Sequence, residues 1–257
     1  MAIETIQRSP SNTTAADSGR LRRLTRAAGI LYLAIFIVYP LSTAVRSVLV
    51  VPGDAAATAQ NIAGSETLFR WGMAGEAMIF LIEVLLAAIL YVLLRPVSRS
   101  MSLAGAFARV SEGVVMAASN LFTSILSLVA VGGAGYLTVF DTGQREALAL
   151  LFQEANEYVV LVWGFFFALS LLITGALVYK SGFFPRLPGL LLALAGAGYF
   201  AQSLGTIVAP GLAGALETVV IALAVPGELV FALWLLIKGV DADAWRAAAA
   251  RADRSQL

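Results

Sequence analysis

The chain has 257 residues, 60% of them apolar and 13% charged, with a net charge of +1 and a mean hydropathy of +0.86. A soluble domain is roughly 45–50% apolar and about 25% charged, so this chain has too little polar surface to coat a water-soluble globule. Cysteine and histidine are both absent, which excludes disulfides, thiol nucleophiles, iron–sulfur clusters, histidine-ligated haem, zinc proteases and serine–histidine dyads.

Residues 1–25 are rich in Ser, Thr, Asn and Arg without apolar periodicity and read as a disordered cytoplasmic tail. Six apolar stretches follow, at about 27–49, 71–94, 104–131, 158–179, 187–208 and 212–237. Each is near or above the roughly 20 residues that cross a hydrocarbon core, where only a helix satisfies its own backbone. The predicted fold is all-α: a polytopic bundle of six transmembrane helices over residues 26–240, followed by a cytoplasmic C-terminal tail at 241–257. Arg22, Arg23 and Arg26 before the first run, and Ser42-Thr43-Ala44 within it, resemble a signal peptide. The run is too long for that, so an uncleaved first span is expected. No span has an aspartate in its interior, which removes intramembrane aspartyl proteases.

Basic residues set the expected orientation. Fourteen fall on the side of the termini, including Arg95, Arg99 and Arg109 in the second loop, against Arg46, Arg70 and Arg145 on the other. Both termini are therefore expected in the cytoplasm. With fifteen arginines to two lysines and abundant alanine, the composition leans toward a GC-rich bacterial source and hence an inner-membrane location.

The outer loops carry helix signals. Asp54 is placed to cap a short helix ended by Gly64, and Ser65 to cap the second span. Asp141 with Gln144 has capping-box spacing, followed by Ala147, Leu148, Leu151, Phe152 and Ala155 on one face. Short amphipathic helices on the outer surface are expected, either merely shortening loops or lidding a cavity. Beyond the sixth span, Asp241, Asp243 and Trp245 precede an alanine run with arginines, read as an interfacial helix or a frayed tail.

Gly189, Ala193, Ala197, Ala201 and Gly205 repeat every four residues in the fifth span, as a close-packing stripe requires. Ser119, Thr123 and Ser127 repeat likewise in the third, to bond back to their own helix or to line a polar seam. Arg26-x-x-Gly29 with Tyr39 recurs as Arg186-x-x-Gly189 with Tyr199, and the spans that follow each carry a mid-span glutamate, the pattern of a same-orientation hairpin repeat.

Those glutamates are the candidate chemistry. Glu83 and Glu228 lie twelve and ten residues from Arg95 and Lys238, which puts both near the bilayer midplane at about 1.5 Å per residue. Glu112 is somewhat nearer the cytoplasmic end, and Glu76 shares a helix face with Glu83. An acidic residue at a helix centre costs roughly 2.5–3.5 kcal/mol to insert, so such groups face the bundle interior or a watery cavity. Arg109 is spaced to pair with Glu112, and Asn120 and Gln202 are placed to complete the lining or to bond between helices. Pro226-Gly227 beside Glu228 is expected to loosen the sixth span and free carbonyls there. Glu66, Arg70, Asn156 and Glu157 are expected to form a polar cluster at the outer rim.

Several stretches carry a family likeness: Ala28-Gly29-Ile30-Leu31-Tyr32-Leu33, Gly53-Asp54-Ala55-Ala56-Ala57-Thr58, Leu68-Phe69-Arg70-Trp71-Gly72, Leu177 through Pro185, and Pro226-Gly227-Glu228 with Leu235 through Val240. In that order, over about residues 24–240, the chain resembles the bacterial membrane family catalogued as domain of unknown function 4386. The resemblance implies a multi-pass inner-membrane protein and brings no assigned activity. Family members often carry a histidine near the start of the fourth span, where this chain reads Asn156-Glu157-Tyr158, so a role that needs the imidazole has no bearer here.

Two readings stand. In one, a cavity lined by Glu83, Glu112 and Glu228 binds or passes a small solute or protons; in the other, the glutamates are polar contacts between helices in a non-catalytic structural or regulatory protein. The chain offers no nucleophile–base constellation, so the reading leans away from an enzyme, with no catalytic residue, no cofactor and no metal expected. The bilayer is the implied partner and nucleic acid is not; the sequence names neither the small-molecule or ion ligand nor a protein partner.

Overall fold

The computed structural model describes residues 10–254, with the side chains of residues 10–17 and of Glu157 outside the description. Every long element in that range is helical. Six helices are long and apolar enough to span a membrane. They belong to α1 (Pro10–Leu49), α3 (Glu66–Leu94), α4 (Arg99–Gly132), α5 (Thr142–Lys180), α6 (Arg186–Val208) and α7 (Ala213–Ile237), with the short α2 (Ala55–Gly64) and α8 (Ala242–Arg254) beside them.

Chain order dictates the arrangement, because the connections are short. Each span packs on the next, from α1 to α3 to α4 to α5 to α6 to α7, and α7 returns to α1, so the six close into a ring. Outward faces keep large apolar side chains such as Trp71, Leu81, Leu85, Phe107 and Phe122 exposed, which suits a lipid surround. One end of the ring carries both termini and is called the termini end below; the other is the far end.

The termini end is apolar and tightly filled. Leu86, Leu90 and Leu93 of α3, Leu171 and Leu177 of α5, Leu192 of α6 and Phe231 and Leu235 of α7 form one buried cluster. Helix axes approach closely where side chains are missing. A Cβ on Gly29 would lie 2.6 Å from the Leu236 backbone nitrogen of α7, and one on Gly175 would lie 2.6 Å from the Gly189 carbonyl oxygen of α6. The four-residue stripe of α6 is therefore only partly a packing seam. Gly189 and Ala193 meet α5, whereas Ala197 and Ala201 are exposed. The physical reason is drift: four residues turn a helix by about 40° beyond a full circle, so sixteen residues carry the stripe well round the axis.

The N-terminal segment differs from its sequence reading, whereas the C-terminal one takes the helical form of its two readings. The backbone is helical from Pro10, so residues 10–25 extend the first span rather than trailing, while the expectation for residues 1–9 lies outside the described residues. Leu21 is buried in the same apolar cluster as Ala248 of α8, and Arg246 of α8 donates to Ser18 Oγ at 3.1 Å, a link across more than two hundred residues that local composition does not reveal. Helix α8 begins at Asp241, whose Oδ1 accepts from the backbone nitrogens of Asp243 and Ala244. The Trp245 indole donates to the Leu93 carbonyl at 2.8 Å, satisfying one of the open carbonyls at the end of α3 and pinning α8 to the bundle.

At the far end, Asp54 caps α2 by accepting from the Ala57 nitrogen at 2.9 Å. Ser65 sits at the start of α3 without a side-chain cap, and its backbone nitrogen donates to the Asn61 and Ile62 carbonyls that close α2. The Asp141–Gln144 capping box is present. The helix it starts is not a separate surface helix, however, but the first turns of α5, which runs unbroken for 39 residues. Its pattern, apolar with polar interruptions, comes from packing against α4 and α2 beyond the span proper. Helix α4 ends at Gly133, whose φ of 63° supplies the left-handed cap that turns the chain toward α5. Pro226 lies inside an α7 that continues through it, so the break expected beside Glu228 reduces to one missing amide hydrogen. Gly227 lies against α6, where a Cβ would be 3.0 Å from the Leu191 carbonyl oxygen.

Candidate functional site

The ring surrounds a cavity of about 440 Å³ to which all six spans contribute. Helical periodicity explains which residues reach it. On α3, Glu76, Phe80 and Glu83 recur at four and three residues, and on α1, Tyr32, Phe36 and Tyr39 do the same. Opposite them stand Arg109 and Gly113 of α4, Trp163 and Phe167 of α5, Tyr199 and Gln202 of α6, and Glu217 and Glu228 of α7. Lining residues nearer the far end, Tyr39, Pro40, Glu217 and Ile221, are exposed, whereas Tyr32, Glu83 and Arg109 are buried. The cavity is thus open toward the far half and floored by charge, with the apolar cluster of the termini end beneath.

Arg109 is the centre of that floor. It was read from sequence as a loop cation on the cytoplasmic side and as the partner of Glu112. It instead lies inside the bundle at 2% exposure, with Nε donating to Glu83 Oε2 of α3 at 2.6 Å. Glu112, one turn along α4, is only at 4.0 Å. Gly113 leaves room beside the pair, since a Cβ there would crowd Phe80 at 3.2 Å and the Glu83 Cβ at 3.3 Å. The guanidinium carbon also sits 4.9 Å from the centre of the Tyr32 ring and 5.9 Å from that of Phe167. A buried cation is therefore held by one carboxylate and two aromatic faces.

The remaining groups are incompletely satisfied. Glu228 forms no hydrogen bond or ion pair among the described residues, but lies within electrostatic reach of Arg109, Glu83 and Tyr199. Glu76, 9% exposed, has an Oε2 with no hydrogen-bond partner; the Tyr32 hydroxyl and Arg109 Nη1 also lack one. Glu112 is 1% exposed, and neither of its oxygens accepts a hydrogen bond among the described residues. It does not line the cavity, contrary to its grouping with Glu83 and Glu228; the i, i+3 step from Arg109 turns it behind the guanidinium.

A second polar region lies beside the cavity toward the far end. Arg46, counted from sequence as an outer-loop cation, points inward and donates through Nη2 to the Gln153 carbonyl at 2.6 Å. The Asn156 amide bridges Asn120 and Arg46, its nitrogen donating to Asn120 Oδ1 and its oxygen accepting from the guanidinium. Gln153 Nε2 donates to Ser127 Oγ at 2.8 Å, and Ser127 donates to the Ala149 carbonyl at 3.0 Å. Ser119 and Thr123 bond back to the carbonyls of Val115 and Ser119 at 2.7 and 2.8 Å, so the hydroxyl stripe serves both its own helix and a seam.

The outer-rim cluster read from sequence is thereby divided. Arg70 and Glu66 pair with each other at 2.6 Å on the exposed surface, four residues apart on α3. Asn156 is buried in the seam instead, and the Glu157 side chain lies outside the described residues. Gln202 lines the main cavity and Asn120 the seam. Arg46, Glu217 and the aromatic wall of Tyr32, Trp163 and Phe167 were not singled out for the site by sequence reasoning. The signal was present on α1, where Tyr32, Phe36 and Tyr39 keep a helical spacing, and in the paired Tyr39 and Tyr199 of the repeat, both of which face the cavity. Among the described residues no group of acidic side chains is arranged to hold a metal ion.

Comparison with known proteins places the chain in company without a known activity. An uncharacterized protein of Archaeoglobus fulgidus is 33% identical over 170 residues, which cover 66% of this chain and 84% of that protein. No solved structure matches the chain. A family model described as a domain of unknown function (DUF4386) matches residues 27–239, and the chain belongs to that family.

Proposed function

We propose that this protein binds a small solute in its central cavity and passes it or a proton through the membrane by way of the carboxylates on the cavity floor. The carrying observation is the coincidence of space and unmet polarity. A volume of about 440 Å³ falls within the range of roughly 300–1,000 Å³ typical of small-molecule sites, and unpartnered atoms of Glu76, Tyr32 and Arg109 border it. Buried polar groups without partners are costly in a bilayer interior, and an occupant that satisfies them offsets that cost. With both termini cytoplasmic, as the basic residues imply, the open half faces the outside of the cell, and the apolar termini end is the barrier to be opened in transport.

One specific observation favours the alternative, a structural role for the carboxylates: Glu83 is fully engaged by Arg109 across α3 and α4. Reconstituted protein separates the two readings through proton flux and solute-dependent thermal stabilisation, measured on wild type and on Glu83→Gln and Glu228→Gln variants. Solute binding that stabilises wild type and is weakened in Glu228→Gln supports the proposal. Wild-type behaviour in both variants across the pH range, with no stabilising solute, leaves only the structural role.

A further inference from the structure

We infer that the cavity selects an organic cation, a monovalent amine or quaternary ammonium with an apolar or aromatic body; this rests on the solute-binding reading above. Charge is the first argument. Glu76, Glu83, Glu217 and Glu228 line the cavity, and the lining contains one cation, Arg109, which Glu83 already pairs at 2.6 Å. Arg46 lies near Glu76 from the adjoining seam, but it is held there by Gln153 and Asn156. Glu228 is left at the midplane with neither a hydrogen bond nor an ion pair among the described residues, so a cation brought in from outside meets a carboxyl group with no cation of its own.

The second argument is the wall. Trp163 stacks on Phe167 with ring centres 4.8 Å apart, and both contact Tyr199 edge-on at 5.6 and 4.8 Å. These three rings border the same space as Glu228, and Tyr199 is within its electrostatic reach. Aromatic faces beside a carboxylate are the chemistry that recognises ammonium groups, while a simple inorganic cation gains little from such walls and an anion meets repulsion. The protein applies the same chemistry to its own Arg109, clasped by Glu83, Tyr32 and Phe167. The third argument is the pair of unpartnered groups elsewhere in the lining, on α3 and α1: Glu76 Oε2 and the Tyr32 hydroxyl are both at least nine-tenths buried and give the ligand acceptors to meet.

The experiment uses three probes of nearly equal shape on the purified full chain: benzyltrimethylammonium, its neutral carbon isostere neopentylbenzene, and the anion phenylmethanesulfonate. Affinity is read by calorimetry or by shift in unfolding temperature. The cation is expected to bind at least about tenfold more tightly than either of the others, the factor that one desolvated cation–aromatic or ion contact provides. Glu228→Gln, which removes no hydrogen bond seen among the described residues, is expected to lose that preference while retaining the neutral probe. Trp163→Leu is expected to weaken the cation more than the neutral isostere. Equal binding of cation and isostere, or preference for the anion, overturns the inference and leaves solute binding standing. Binding of none of the three overturns the inference too, and the proton-flux arm above then decides the broader reading alone.

Discussion

The two ends of the bundle differ in how they treat polarity and space. At the termini end, glycines bring helix backbones together and leucine and phenylalanine fill the space between them. Toward the far half the same six helices stand apart around a cavity, and beside a smaller apolar cluster of Leu49, Ile62 and Phe69 their contacts include the polar groups of Arg109, Glu83, Arg46, Asn120, Gln153 and Asn156. Without water to drive apolar helices together in a bilayer, close van der Waals fit and hydrogen bonds must hold them; the termini end relies on the first, and the far half adds the second to it. The difference teaches that polarity in these spans is concentrated where space is left open, which is the arrangement expected of a binding site rather than of a sealed bundle.

The largest expected break in that contrast is Arg109→Met. It strands the buried Glu83 and Glu112 without their cation, and removing one partner of such a pair typically costs about 3–5 kcal/mol. Loss of folded protein in mild detergent, or a collapse of the unfolding temperature, checks it. The double change Arg109→Met with Glu83→Gln should recover much of that stability, because the stranded charge nearest the cavity is gone. Next in size is Gly189→Val at the termini end. The new side chain meets the Gly175 carbonyl and Tyr179 backbone of α5, with an overpacking cost of roughly 1–3 kcal/mol and no effect on ligand selectivity.

A smaller effect is expected from Asn156→Leu, which removes the bridge between Asn120 and Arg46. Interhelical hydrogen bonds in membranes average about 0.6 kcal/mol and reach about 1.7, and a melting experiment in lipid resolves that range. The smallest stability change belongs to Glu228→Gln, within about 0.5 kcal/mol, since the group makes no hydrogen bond or ion pair among the described residues. A Glu228→Gln variant that unfolds readily would mean that the carboxylate holds the far half together, and the contrast between the two ends would then fail.

The spans were legible because hydrophobic length is a local property. The capped helix after Asp54, the capping box at Asp141 and the shared face of Glu76 and Glu83 were legible for the same reason, each depending on residues within a turn or two. Arg109 shows where local reading stops. Its spacing to Glu112 is correct for an ion pair on one helix and the two stand 4.0 Å apart, yet the hydrogen bond goes to Glu83, 26 residues away on α3, a partner that only packing supplies. Arg46 shows the same: counting it as a loop charge is reasonable until α5 is seen to extend past the span and offer Gln153 and Asn156.

The amino-acid sequence by itself determined that this is an all-helical chain with six membrane-length helices, no histidine or cysteine chemistry, and carboxylates in the middle of its spans. Only the tertiary structure decided that the helices close into a ring, that Glu83 has a cation hydrogen-bonded to it while Glu228 has none among the described residues, and that aromatic rings from α1, α3, α5 and α6 line the space between. The division follows from the physics. Burying a charge is a cost set by residue type and can be read from the chain, whereas the partner that offsets it is chosen by which helix faces meet, and that is a property of packing.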